Sequence, residues 1–286
     1  VEWESNLLEA QPEIQMIKIG RQELRVARWR GMGTARPVLF FNGIGANLET
    51  IEPLGELMRH RGDVITFDMP GIGGSPNPRI PYRPSKAAKW AKRILEHLGV
   101  DEVDVMGVSW GGGMAQQFAR DFPGCAKALV LLSTSAGMLM VPGNFSALSR
   151  MVQPKRYTDP DYMMKNFETL YGDKVDASSQ GHKSRVTPPT RKGYAYQLMA
   201  MAGWTSMHYL PFLKQPTLIM SGDKDNIVPL INARILRSVI PRADLRVVKG
   251  GGHLFMVSRA AEVVPVITRF LDDYREEVGT NVAWVA

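Results

Sequence analysis

Short, near-continuous apolar runs alternating with helical periodicity constrain this chain more than any other feature. Pro37 to Phe41, Val64 to Phe67, Val103 to Val108, Ala128 to Leu132 and Pro216 to Ser221 lack the polar alternation of a half-exposed strand. Such runs are typical of strands buried on both faces. Between them, apolar residues recur at helical spacing over Leu48 to His60 (Ile51, Leu54, Leu57, Met58), Ser85 to Leu98 and Trp110 to Asp121. Repeated strand–helix units of this length build a parallel sheet covered by helices on both faces. Ahead of them, Ile14 to Ile19 and Leu24 to Trp29 flank Gly20-Arg21-Gln22 and predict a hairpin. From about Ser135 to Leu213 the rhythm stops, and prolines, aromatics and methionines replace the strand signal. It resumes with Pro216 to Ser221, a helix over Leu230 to Val239, a strand over Leu245 to Val248 and a helix over Ala260 to Tyr274. The expected division is a core of residues 1–134 and 214–286, with a helical cap of residues 135–213 inserted after the sixth strand.

Composition excludes several function classes. Thirty-five Lys plus Arg against 28 Asp plus Glu give a net charge of +7 over 286 residues, but the bases are scattered rather than blocked. A nucleic-acid partner is therefore not expected. Cys125 is the single cysteine, which excludes an intramolecular disulfide and a Cys-based zinc cluster. No His and carboxylate grouping shows metal-ligand spacing, so neither metal nor cofactor is expected. The apolar stretch from Ala128 to Val141 is interrupted by Ser133, Thr134, Ser135 and Gly137, too short and too polar for a spanning helix. Val1-Glu2-Trp3-Glu4-Ser5 carries acid where a signal peptide carries base, so a cytoplasmic chain is expected.

The sharpest local signal is Gly107-Val108-Ser109-Trp110-Gly111, a G-x-S-x-G placed where a strand ends and a helix begins. In that context Ser109 is expected to be a nucleophile on a strained turn, with Gly107, Gly111, Gly112 and Gly113 giving room for close strand–helix approach. A serine hydroxyl needs a base. Of five histidines, His60 and His97 lie near helix ends, His182 in a polar basic stretch and His208 in an aromatic one. His253 follows Gly250-Gly251-Gly252 directly after a strand, the position suited to the base. Chain order Ser, Asp, His then asks for an acid after the preceding strand. Asp225, four residues before Pro229, is preferred; Asp223 is the alternative, better suited to satisfying turn amides. The backbone N–H groups of Ile44, in the loop Asn42-Gly43-Ile44-Gly45-Ala46-Asn47, and of Trp110 are the expected oxyanion donors. Asn42 and Asn47 are candidates for bracing that loop.

These motifs are those of the α/β hydrolase fold, and several segments resemble one group within it. Phe41 to Glu49, the elbow from Gly107 to Gly112, Met140-Val141-Pro142-Gly143, Gly203-Trp204-Thr205-Ser206, Pro229-Leu230-Ile231-Asn232 and Gly252-His253-Leu254-Phe255 resemble the intracellular poly(3-hydroxyalkanoate) depolymerases, particularly those acting on medium-chain-length polymers. The resemblance spans about Ile14 to Tyr274. It implies a mostly parallel central sheet flanked by helices, and Ser109, Asp225 and His253 as the triad. It also implies a hydrophobic polyester granule or oligomer as substrate and partner, and a location at storage granules inside the cell. Met138, Met140, Tyr196, Trp204 and Leu254 are candidates for the wall of an apolar substrate pocket, with packing in the cap's own core the equal alternative for the methionines and aromatics of the insertion, and Trp3 is a candidate for particle attachment.

A serine at the elbow favours acyl chemistry over epoxide opening or halide displacement, which need a carboxylate there. The alternatives are a small-molecule carboxylesterase, a lipase-like enzyme or a carbon–carbon bond hydrolase of the same fold. A catalytically silent receptor or granule-binding protein is the non-enzymatic alternative. Oligomeric state and substrate chain length stay open at this level.

Overall fold

The computed structural model describes residues 11–151, 160–173 and 177–280. Eight strands form one sheet: β1 (Glu13–Ile19), β2 (Gln22–Trp29), β3 (Val38–Phe41), β4 (Val64–Phe67), β5 (Val103–Val108), β6 (Ala126–Leu132), β7 (Thr217–Gly222) and β8 (Ala243–Val248). Their order is β1-β2-β4-β3-β5-β6-β7-β8. The β1–β2 hairpin and the β2–β4 pair are antiparallel, and every pair from β4 through β8 is parallel. The expected mostly parallel sheet is therefore the one found.

The unbroken apolar runs have a simple origin. Side chains alternate across a strand, and here both faces are covered. Leu39, Phe41, Val105, Leu129 and Leu131 meet α2 (Pro84–His97) and α3 (Trp110–Asp121) on one side. Val38, Phe40, Met106, Val130 and Leu132 meet α1 (Glu52–Met58) and the carboxy-terminal helix on the other. Helix α2 begins at Pro84, whose fixed φ and missing N–H suit a first turn, and buries Ala87, Ala88, Ala91, Ile94 and Leu95 along one stripe.

The expected helix over Leu48 to His60 is two elements, a 3₁₀ turn at Leu48–Ile51 and then α1 from Glu52. Pro53 is the cause: it cannot donate a backbone hydrogen bond and is tolerated only in the first turn, so the α-helix starts there. Between β6 and β7 lie α4 (Phe145–Met151), α5 (Pro160–Lys165), α6 (Phe167–Tyr171), α7 (Ala177–Arg185) and α8 (Arg191–Met201). A single β-bridge between Gly137 and Thr205 joins the two ends of this helical stretch. After β7 come α9 (Leu230–Val239), then, beyond β8, α10 (Phe255–Ser258) and α11 (Ala260–Thr280). Among the described residues no helix is long and apolar enough to cross a membrane. Trp3 lies outside the described residues.

A buried ion pair, extended outward to a half-exposed carboxylate, ties the sheet to its helical cover. Arg61, after α1, places Nη2 2.9 Å from Asp104 Oδ2 at the start of β5 and Nε 2.7 Å from Asp272 Oδ1 of α11. It also donates to the carbonyls of Arg36 and Leu271. Burial pushes the Asp104 carboxyl up, against the pull of Arg36 and Arg61. Removing one partner of such a cluster strands the other charge in the interior. Arg61→Met is accordingly expected to cost about 3 kcal/mol of stability, read as a lowered urea midpoint with an unchanged denaturant slope.

Candidate active site

Strand β5 stops at Val108, and Ser109 turns the chain into α3 with φ 54° and ψ −121°, a backbone region that L-residues with a Cβ rarely occupy. Holding a residue there costs on the order of 1–3 kcal/mol and persists only where the surroundings enforce it. The surroundings are close. A Cβ on Gly107 would strike the Gly111 carbonyl, one on Gly111 the carbonyls of Phe41 and Asn42, and one on Gly112 the Thr134 side chain. The turn is tied down by Ser109 N–H to the Leu132 carbonyl (2.9 Å) and by Thr134 Oγ1, which donates to the Ser109 carbonyl (2.6 Å). The glycines of the motif are therefore space requirements, and Ser109 projects into a cavity above the sheet.

Asp225 and His253 meet at the same end of the sheet, in the loops after β7 and β8. His253 Nδ1 lies 2.8 Å from Asp225 Oδ2, with both residues buried. The other carboxylate oxygen, Oδ1, accepts from the N–H groups of Ile227 (2.9 Å) and Val228 (2.8 Å). An ionised carboxylate only accepts, so this contact fixes the proton on Nδ1 and leaves Nε2 as the acceptor nitrogen. His253 lines the cavity with Ser109. Asp223, the alternative acid, accepts instead from Gly250 N–H at 2.7 Å and so joins the two loops.

The loop after β3 forms a third wall. Ile44 lines the cavity, and Trp110 is the first residue of α3, where a backbone N–H has no partner within the helix. Asn42 donates to the Asn47 carbonyl and to Thr50 Oγ1 and accepts from Gly43 N–H. Asn47 joins the loop to the helical stretch through the Arg185 carbonyl and Thr187 N–H. Gln197 of α8, fully buried, accepts from Gly45 N–H (2.8 Å), and its carbonyl accepts from the Trp110 indole (3.1 Å). No local pattern marks Gln197, whose partners lie far away in the chain.

Of the five candidates for the wall of an apolar pocket, Leu254 lines the cavity and the other four stand elsewhere. Met138 is 61% exposed. Met140 packs with Phe167, Leu170 and Tyr171. Trp204 donates its indole N–H to Gln117 and stacks its ring against Gly137, while Tyr196 packs on the α2–α3 side of the sheet with Lys192 over its ring. Indole and phenol rings near the helical stretch thus fill its seam with the sheet layer. Residues that the sequence did not single out also line the cavity, among them Val186, Met256 and Val257, Tyr171, whose ring lies nearly parallel to that of His253 (15°, centroids 6.5 Å apart), and the buried imidazole of His182. His60, His97 and His208 are exposed.

Comparison with known proteins follows the same lines. A family model described as the alpha/beta hydrolase fold matches residues 36–260. The chain is 43% identical over 270 residues to a poly(3-hydroxyalkanoate) depolymerase of Ectopseudomonas oleovorans, covering 93% of this chain and 95% of that one. Among solved structures, a bacterial membrane phospholipase A superposes with a TM-score of 0.78 at 21% identity, covering 93% of this chain and 87% of that one. An esterase from Exiguobacterium antarcticum also gives 0.78, at 20% identity, covering 90% and 99%. At those identities the two structures speak to fold alone, whereas the depolymerase match runs through nearly the full length of both chains. The chain belongs to the α/β hydrolase family and is a homologue of that poly(3-hydroxyalkanoate) depolymerase.

Proposed function

We propose that the protein hydrolyses the ester bonds of poly(3-hydroxyalkanoate) or its oligomers, with Ser109 as nucleophile, His253 as base and Asp225 as the orienting acid. The observation that carries this reading is the pairing of a strained serine with a buried His253–Asp225 contact on one cavity. Ser109 Oγ attacks the ester carbonyl as His253 Nε2 takes its proton. Asp225 holds Nδ1–H and stabilises the imidazolium. The N–H groups of Ile44 and Trp110 receive the negative charge that develops on the carbonyl oxygen. Collapse breaks the ester C–O bond, and His253 returns its proton to the departing alkoxide, the hydroxyl end of the next unit. Water, deprotonated by His253, then attacks the acyl-enzyme and releases the 3-hydroxy acid end. No step calls for a metal or an organic cofactor.

The homologue's activity as a poly(3-hydroxyalkanoate) depolymerase supports the polyester as substrate, and residues 135–213 serve in this reading as a cap. Leu254 and Ile44 offer apolar surface to the acyl chain beside the serine. The test is release of 3-hydroxyalkanoate monomers and oligomers from amorphous medium-chain-length and short-chain-length granules. Release from medium-chain granules that Ser109→Ala abolishes is the expected result. Cleavage of soluble p-nitrophenyl esters with neither polymer degraded would keep the serine chemistry and overturn the polymer.

Two further outcomes follow from the geometry, both read on a soluble ester. Asp225→Asn leaves the fold intact but removes the acceptor that fixes the imidazole tautomer, and kcat is expected to fall about 10⁴-fold. Gln197→Ala removes the acceptor of Gly45 N–H and loosens the Ile44 loop; kcat is expected to fall about tenfold with KM nearly constant. A change confined to KM would mean that the loop binds substrate without holding the oxyanion.

A further inference from the structure

We propose that Asp173, in the helical stretch between β6 and β7, is a positioning residue that fixes the backbone carrying His253. The proposal rests on the reading of His253 as the base. The loop Gly250-Gly251-Gly252 leading to His253 is rich in glycine, and Gly250 sits at φ 69°. Glycine runs have the most backbone freedom to lose, so a histidine at the end of one needs tethers to hold its ring to better than an ångström.

The tethers come from α6 and its exit. Three successive backbone N–H groups, at Gly252, His253 and Leu254, all point at residues 171–173. Gly252 N–H donates to Asp173 Oδ1 (2.9 Å), His253 N–H to the Tyr171 carbonyl (2.6 Å) and Leu254 N–H to Asp173 Oδ2 (2.8 Å). Ser258 Oγ adds a fourth contact, 3.1 Å from Asp173 Oδ1. Consecutive N–H groups converging in this way make a concavity suited to an anion, and the Asp173 carboxylate, only 4% exposed, fills it from the opposite segment. Hydrogen bonds to an ionised acceptor are roughly twice as strong as neutral ones. Gly252 must be glycine at this point, because a Cβ there would strike the Tyr171 carbonyl and Asp173 itself.

The same segment also touches the acid's loop. Gly172 ends α6 at φ 77° and packs so closely on the Lys224 carbonyl that a Cβ would collide with it, and Asn226 donates to the Glu168 and Thr169 carbonyls. Tyr171-Gly172-Asp173 is thus wedged against both the loop of Asp225 and the loop of His253. Asp173 touches neither the substrate space nor the imidazole ring in this arrangement; it acts through the main chain on either side of the ring, some 79–81 residues away in sequence.

The experiment uses the full chain and a soluble p-nitrophenyl ester, so that failure of the polymer substrate cannot be mistaken for failure of this proposal. Asp173→Asn keeps the shape but turns an amide N–H₂ toward a donor. Its kcat is expected to fall about 10- to 100-fold, with KM within about twofold. The downfield proton resonance of the Nδ1–H shared with Asp225 is expected to broaden or shift. An unchanged kcat and an unmoved resonance in the folded variant would overturn the proposal, as would a loss of activity that only tracks the unfolded fraction. Should Asp173→Asn fail to fold, Ser258→Ala decides: it withdraws one donor from the carboxylate, and kcat is expected to fall about threefold at constant KM. No change in kcat there would overturn it. His253→Ala is the control. Turnover retained in that variant sinks the base assignment and this proposal together, whereas a dead His253→Ala beside a fully active Asp173→Asn sinks this proposal alone.

Discussion

The structure depends on how closely β5 can approach α3. Gly107 faces the Gly111 carbonyl and Gly111 faces the carbonyls of Phe41 and Asn42 with no room for a side chain, and that closeness forces Ser109 into a positive φ. The strain is spread over a rigid frame: β5 is paired on both sides by parallel neighbours, and the Ser109 amide and carbonyl are both bonded to β6 and its exit. A flexible elbow would relax and withdraw the hydroxyl. Packing of small residues is thus the physical source of the geometry of Ser109, the proposed nucleophile.

Parallel topology then gathers the remaining groups. The loops after β3, β5, β7 and β8 leave the sheet at one end, so Ile44, Ser109, Asp225 and His253 come together although they span most of the chain. Each loop has outside support: Asn42 and Thr50 brace the first, Asp223 joins the last two through Gly250, and the helical stretch reaches the loops after β3, β7 and β8 through Gln197, Arg185, Gly172 and Asp173. The helical stretch between β6 and β7 therefore contributes Tyr171, His182 and Val186 to the cavity wall and also bonds to the loops after β3 and β8.

Much of this was legible in the chain because the signals are local. Buried runs give the strands, and G-x-S-x-G at a strand–helix junction gives the elbow. The order Ser, Asp, His selects Asp225 and His253, and Asp223 satisfies a loop amide as turn chemistry suggests. The split at Pro53 between the 3₁₀ turn and α1 is not read from the sequence, because the apolar spacing of Ile51, Leu54 and Leu57 runs on through it. Tyr171, Asp173 and Gln197 were not legible, since each contacts residues tens of positions away, and neither was His182 as part of the cavity wall; all four sit in a segment without periodicity. Of the two readings open for Met138, Met140, Tyr196 and Trp204, pocket wall or packing, the sequence could not choose, and none of the four lines the cavity at Ser109. Hydrophobicity marks a residue for burial without naming its partner, and three of these bury against helix or sheet while Met138 faces out.

The most direct test of the mechanism is to trap its intermediate. The protein is mixed with a soluble p-nitrophenyl alkanoate, quenched in acid within the first turnover, digested, and mapped by mass spectrometry. An acyl adduct on the peptide containing Ser109, absent in Ser109→Ala and accumulating far more slowly in His253→Ala, is the result the mechanism requires. Undiminished ester turnover in Ser109→Ala, or an adduct carried by a different residue, would contradict it.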